Sequence, residues 1–316
     1  MSWPRAPLLM VSSSSRTGPV EGLISLAREL RGQGLDARFA GDTVRPGENL
    51  GEHLAHAGVP WETGLRLSRK VRLRDVIHDS ARLAAFARER RYDVFHAAFA
   101  HDHSLVPAAV DAHWFSPGNA PELRSQWGIP RDAPLAGIVA RMKPDRGHAA
   151  LLQAFAHVER EVPQAWFVIV GRGEEEARLR ALARELGLSR VVFGGYLRGP
   201  GLVQAYRALD VAVWLREGND GGCRGVLEAM ACGVPVVAGS DGAPGELVGE
   251  TGRVVAAEDA RSIALDLGEL LGDLGRARHL GRAARERALD FTPRRAAGET
   301  LAFWRRLRDL PPIAGG

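Results

Sequence analysis

Short apolar runs alternate along this chain with longer stretches whose apolar positions recur every three or four residues. Residues 8–11 are too few for a helix and too apolar for a surface loop, so they read as a buried strand. A polar loop follows over 12–18. Then Val20, Leu23, Ile24, Ala27 and Leu30 mark one face of a helix over 20–31, which Gly32 and Gly34 end. Residues 36–40 and 92–96 predict two further strands, with a weaker one around Trp61. The first loop leaves the carboxyl end of a strand, where ligands of α/β proteins usually sit. Ser12 to Ser15 fit a ligand contact and a plain connector equally well.

The second half is fuller. Strands are predicted at 135–140, 166–170, 191–193, 211–215, 234–238 and 253–255. Helices are predicted at 149–160, 174–186, 202–209, 226–231, 259–271 and 275–289. Strands that alternate with helices imply an α/β fold class, with parallel sheets covered on both faces. A turn-rich stretch, 111–118, separates the halves. Three good strands and one weak one are few for a doubly wound first sheet.

Composition narrows the function classes. The chain has 316 residues, room for about two domains, and its 45% hydrophobic content suits packed cores. A net charge of +4 favours an anionic partner without naming it. Aromatics are only 6% and are not interleaved with basic residues, which argues against a nucleic-acid module. The two cysteines, Cys223 and Cys232, lie outside any Cys-x-x-Cys or Cys/His cluster, so a reducing cytoplasm is expected. No apolar run reaches the length of a signal peptide or a membrane span. Residues 66–91 carry nine basic against three acidic side chains, with an apolar stripe of Val76, Ile77, Leu83, Ala84 and Phe86. Such a helix is more often a solvated face on a core-packed helix; peripheral contact with anionic lipid, at the inner face of the membrane, is the lesser alternative.

The richest stretch is 211–238. An apolar run bends through Gly218, Asn219, Asp220, Gly221 and Gly222 into a helix that Gly233 ends before the next apolar run. Free N–H groups at such a helix start attract anions. Arg224 and Glu228 are four apart and share a helix face. A carboxylate one turn beyond an anion site suits the hydroxyls of a ribose, which donate to it. An ordinary glycine turn with a surface i,i+4 pair fits the same residues, and the local pattern leaves both readings open. His96, His101, Asp102 and His103 gather after the strand at 92–96. No further ligand set accompanies them for a metal, so we read them as the lining of a substrate cleft.

At GIVARMKPDRGHAALLQAF, Gly137 to Phe155, the chain resembles the retaining glycosyltransferases of family four, often called group 1. The resemblance continues through FVIVGRGEEEARLRALARELGL, VVFGGYLRG, LDVAVWLREGNDGGCRGVLEAMACGVPVVA, TGRVV and FTPRRAAGETLAFWRRL. It implies a GT-B fold, two Rossmann-like domains with the donor held mainly by the second. The family's basic pair falls on Arg141 and Arg146, the second an arginine where the family has lysine. Its acidic pair falls on Asp220 and Glu228, with Glu217 the alternative to Asp220. Gly222, Cys223 and Arg224 would offer backbone to the diphosphate. RTGPVEGLISLARELRGQGLDARFAG resembles the family's first loop and helix, which brings Gly18 to the donor. YDVFHAAFAHDHSL resembles its acceptor-side histidine segment, where Ala98 replaces the second histidine and His101 or His103 would substitute; we take His103.

VDAHWFSPG resembles the family's linker, but strand–helix units usual between Leu105 and Val110 are missing. The resemblance therefore implies a shortened acceptor-side domain, 1–110, with a final helix from 293–316 on it, and a donor domain, 111–292. The implied activity is retaining transfer from a UDP- or GDP-sugar to a hydroxyl of a glycan or lipid-linked acceptor. Cell-surface glycan, lipopolysaccharide or glycolipid synthesis is its setting. No Asp-x-Asp motif occurs, so neither metal nor cofactor is expected, and cationic side chains would do a metal's work. Two other readings stand beside it: a nucleotide-sugar-binding protein that does not transfer because its acceptor domain is incomplete, and a sugar epimerase on a related scaffold.

Overall fold

The computed structural model describes residues 4–11, 18–41, 50–62, 65, 73–90, 92–98, 109–216 and 223–309. The chain divides into two compact units. One takes the described residues of 1–109 and 293–316, the other those of 110–218 and 223–292.

The first unit begins with β1 (Pro7–Val11), α1 (Gly18–Gly32), β2 (Arg38–Gly41), α2 (Leu50–His56), β3 (Trp61–Glu62), α3 (Leu73–Arg90) and β4 (Val94–Ala98). All four strands are parallel, in the order β3-β2-β1-β4. Every residue of β1 is buried, as expected of a strand covered on both faces. On one face α1 contributes Val20, Leu23, Ile24, Ala27 and Leu30 to the core, the stripe its periodicity predicts. On the other face Leu8, Met10 and Ala40 meet Leu65, Phe86 and Tyr92. Phe86 brings α3 into this cluster, and Arg82 lies over its ring at 4.5 Å. That gives α3 a core-packed side; 66–72 and 91 of the basic stretch lie outside the described residues. The strand expected at 92–96 starts two residues later. Asp93 is taken up at the strand's entrance, where its carboxylate accepts from the Arg5 and Ala6 N–H groups.

The second unit runs α4 (Pro121–Gln126), β5 (Leu135–Val139), α5 (His148–Glu161), β6 (Trp166–Val170), α6 (Glu176–Glu185), β7 (Val191–Gly195), α7 (Pro200–Ala208) and β8 (Val211–Trp214). It continues with α8 (Arg224–Ala231), β9 (Val236–Gly239), α9 (Ala243–Val248), β10 (Arg253–Val255), α10 (Ala260–Gly272) and α11 (Leu274–Ala288). Its six strands are parallel, in the order β10-β9-β8-β5-β6-β7. The core joins Leu151, Phe155 and Val158 of α5 to Ile263, Leu267 and Leu270 of α10, over Ile138, Phe167 and Val213 of the sheet. Arginines tie the loops at its amino end. Arg124 pairs with Asp210 at 2.8 Å, and Asp210 accepts from the Leu135 N–H. Arg285 donates to the carbonyls of Ala112, Phe115 and Ala231.

The last helix, α12 (Pro293–Arg308), belongs to the first unit. Its Ala297, Leu301 and Trp304 complete the core that α1 begins. Among the described residues no helix is long and apolar enough to cross a membrane.

Candidate functional site

The strand order of the second unit reverses between β5 and β8, which pair directly through Ala136 and Val211. From β5 the chain winds outward to β6 and β7, and from β8 to β9 and β10. A crevice outside the carboxyl ends of two such strands is the usual ligand position in an open α/β sheet. Neighbouring strands lie roughly 5 Å apart, so the segments that leave β5 and β8 start side by side.

The segment after β5 carries the first candidates. Arg141 is exposed, with no ion pair among the described residues. Arg146 closes a 3-10 turn, Pro144–Arg146, and is buried, with Nε 3.5 Å from Asp145 Oδ1. Gly147 then takes a left-handed φ of 76° and caps α5. A side chain there would be strained, and its Cβ would press on Leu215 Cβ at 3.1 Å. His148, the first residue of α5, is only 3% exposed, and neither ring nitrogen has a hydrogen-bond partner among the described residues. Burial lowers its pKa to about 4, and the neighbouring Arg146 charge acts the same way. A neutral imidazole therefore lies beside a buried guanidinium.

The segment after β8 enters α8 through Cys223, whose φ of 40° makes it the one non-glycine with positive φ among the described residues. Backbone strain of this kind concentrates where ligands are held. The helix starts two residues earlier than its apolar pattern predicts, which makes Arg224 its first residue. Glu228 is 5% exposed. Its Oε1 pairs with Arg224 Nε at 2.9 Å, and its Oε2 accepts from the Tyr206 hydroxyl at 2.8 Å. The reading of this pair as an ordinary surface i,i+4 contact is thus corrected: the carboxylate sits inside the fold, on a buried tyrosine from α7.

Tyr206 is itself fixed. Its ring stacks on Trp214 at 6.2 Å and meets the Phe115 ring edge-on at 5.9 Å. Burial, then the Glu228 charge, push its pKa well above the usual phenol value, so it stays a donor. Gly225 is required beneath it: a Cβ there would come within 2.6 Å of Trp214 Cζ2. Cys232, at the end of α8, is pushed up to about 12 by burial and is an inert thiol.

Of the other expected residues, Gly18 begins α1 in the first unit. Ser12 to Ser15, His101, Asp102, His103, Glu217, Asp220 and Gly222 lie outside the described residues. His96 corrects its expectation. It is 5% exposed, Trp304 Nε1 donates to its Nδ1 at 3.2 Å, and its Nε2 is buried without a partner among the described residues. It is part of the seat for α12, not a cleft-lining side chain. Burial lowers its pKa to about 4. Two site residues escaped the sequence reading. Tyr206 lies inside the helix predicted at 202–209 and His148 just before the one predicted at 149–160, and neither was singled out; only burial and partners distinguish them.

Glycosyl transferases group 1 match residues 119–287, more than half of the chain. The chain belongs to this family. Its members share GT-B folds, and solved glycosyltransferases superpose on the present one. One from Rickettsia africae gives a TM-score of 0.79 at 15% identity, over 98% of this chain and 100% of that one. Anabaena HepE, solved with UDP-glucose, gives 0.75 at 19% identity, over 95% of this chain and 99% of that one. Among curated relatives of this group 1 chain, a GDP-mannose-dependent alpha-(1-6)-phosphatidylinositol monomannoside mannosyltransferase of Mycolicibacterium smegmatis is 34% identical over 231 residues. That alignment covers 70% of this chain and 60% of the relative. A D-inositol 3-phosphate glycosyltransferase of Stackebrandtia nassauensis is 31% identical over 213 residues, 64% of this chain and 48% of that protein. The chain thus spans about half the length of the curated relatives it matches.

Proposed function

We propose that the chain transfers a sugar, with retention, from a nucleoside diphosphate sugar to a hydroxyl of a lipid-linked or glycan acceptor. The observation that supports this reading is a buried Glu228, one turn into α8 and paired with Arg224, on the helix that follows β8, the strand beside β5 where the sheet order reverses and after which Arg141 and Arg146 lie. Glu228 would accept from the donor's ribose hydroxyls. Arg141, Arg146 and the Cys223–Arg224 backbone would take the diphosphate, on which negative charge grows as the glycosidic bond breaks. Each well-placed donor contributes roughly a few kcal/mol to that transition state. In this scheme arginines replace a bridging metal, Asp220 faces the sugar, and Gly18 and His103 serve from the first unit.

The relatives' names support a phosphoinositide-type or glycolipid acceptor and a GDP-sugar, while HepE keeps UDP-sugars in view. We assign the acceptor side to 1–110 with 293–316, the donor side to 111–292, and peripheral contact with anionic lipid to the stretch 66–91. Donor binding without transfer is the second reading, which the same test separates from the first. The test is a calorimetric series with uridine, guanosine and adenosine, their diphosphates and their diphosphate sugars. It is followed by an NMR assignment of the anomer formed on an inositol or glycolipid acceptor. Equal affinity for nucleosides and diphosphates refutes the donor site. Tight donor binding with no product selects the second reading.

A further inference from the structure

We propose that Tyr206 is a positioning residue for Glu228, holding the carboxylate in the orientation that reads the donor's ribose. The inference rests on the reading of Glu228 as the ribose acceptor and adds the element that makes that contact selective. A glutamate at the fifth position of α8 has three side-chain torsions to fix. Its two oxygens are held from opposite sides, Oε1 by Arg224 and Oε2 by Tyr206. The two clamps are unequal. Arg224 keeps 29% of its side chain in solvent, where an ion pair is screened and worth little by itself. Tyr206 is fully buried, and its ring is locked between Trp214 and Phe115.

A hydroxyl delivered by a locked ring holds its acceptor to within a few tenths of an ångström, the tolerance that recognition needs from its supporting residues. The hydroxyl also reaches the first turn of α8, since a Cβ on Gly225 would lie 3.2 Å from it. The phenol is raised well above its ordinary pKa by burial and by Glu228, so it donates at every working pH. Arg224 has a second use toward the diphosphate, and Tyr206 stays on Glu228 when it turns there. Phenylalanine at 206 would keep the stack and remove only the donor.

The experiment compares the parent, Tyr206→Phe, Glu228→Gln and the double variant. Each is titrated calorimetrically with guanosine and uridine diphosphates and with their 2′,3′-dideoxy counterparts. Loss of a hydrogen bond to a charged group predicts that Tyr206→Phe weakens the ribonucleotides by roughly 10- to 150-fold, with the deoxy ligands unchanged. The double variant should lose no more than Glu228→Gln alone. Equal weakening of ribo and deoxy ligands, or none, overturns the role of Tyr206. A parent that does not distinguish ribo from deoxy overturns the Glu228 reading itself, so the two failures are separable. Should Tyr206→Phe fold poorly, uniform 3-fluorotyrosine labels only Tyr92, Tyr196 and Tyr206 in this chain. The fluorine resonance of Tyr206 should then move on Glu228→Gln and on binding guanosine or uridine diphosphate. A resonance indifferent to both overturns the inference.

Discussion

Acidifying the protein from pH 7 to pH 5 should destabilise the second unit by about 2 kcal/mol through His148 alone. Burial beside Arg146 lowers the pKa of His148 from 6.5 to about 4 in the folded chain, against the weaker opposite pull of Glu175 and Asp145. The unfolded chain therefore binds a proton through the window between those values, and the folded chain does not. Stability is complete above the unfolded value and falls as pH drops toward 4. At pH 5 the unfolded form is favoured about 30-fold by this proton, equivalent to about 2 kcal/mol, whereas at pH 7 the effect is a few tenths. The assay is urea unfolding at pH 7, 6 and 5, with hydrogen exchange to separate the units, on the parent and on His148→Gln. The variant will differ in stability at pH 7; the decisive quantity is the pH slope, which should flatten by about 2 kcal/mol across the window. His96 predicts a slope of the same sign in the first unit, so His96→Gln should flatten that one and leave the second unchanged. Parallel slopes for the parent and His148→Gln would refute the reasoning.

Arg141→Ala should weaken nucleoside diphosphate binding by roughly 2–4 kcal/mol and leave nucleoside binding alone; calorimetry with both ligand types checks it. Gly225→Ala should cost about 1–3 kcal/mol in chemical denaturation, because its methyl displaces Trp214 and, through it, Tyr206. A variant as stable as the parent would show that the stack yields freely. In hydrogen exchange the two-residue strand β3 should open before β5 and β6, whose ladders lie inside a six-stranded sheet; equal protection would contradict this.

Much of the second unit was legible in the sequence because its elements are long and their apolar patterns distinct. β6 and β10 lie at their predicted positions, and α5 differs by one residue at each end. The short helices α2, α4 and α9 were missed, since six or seven residues give no periodicity to read. At the site, the spacing of Arg224 and Glu228 put them on one helix face, as helical neighbours are, and the two do pair. Tyr206 gave no such signal, because its partner lies 22 residues away and only the packing of α7 on α8 joins them. His96 was misread because what buries it, Trp304, is 208 residues distant. Local pattern reports local neighbours; a side chain's solvent exposure is decided by the whole fold.

That distance also sets an order of events during synthesis. The strands of the first sheet leave the ribosome early, but the core that holds Leu9, Val20 and Leu23 is completed only by Ala297, Leu301 and Trp304 of α12. At about 5–20 residues per second, translation from His96 to Trp304 takes roughly 10–40 s. Throughout that interval the nascent first unit presents an unfinished apolar face, while the second is made and folds beside it. Such a face, open for tens of seconds, is prone to aggregation until α12 covers it. Stalling translation before residue 297 should therefore yield a nascent chain with a protease-resistant second unit and a sensitive first one.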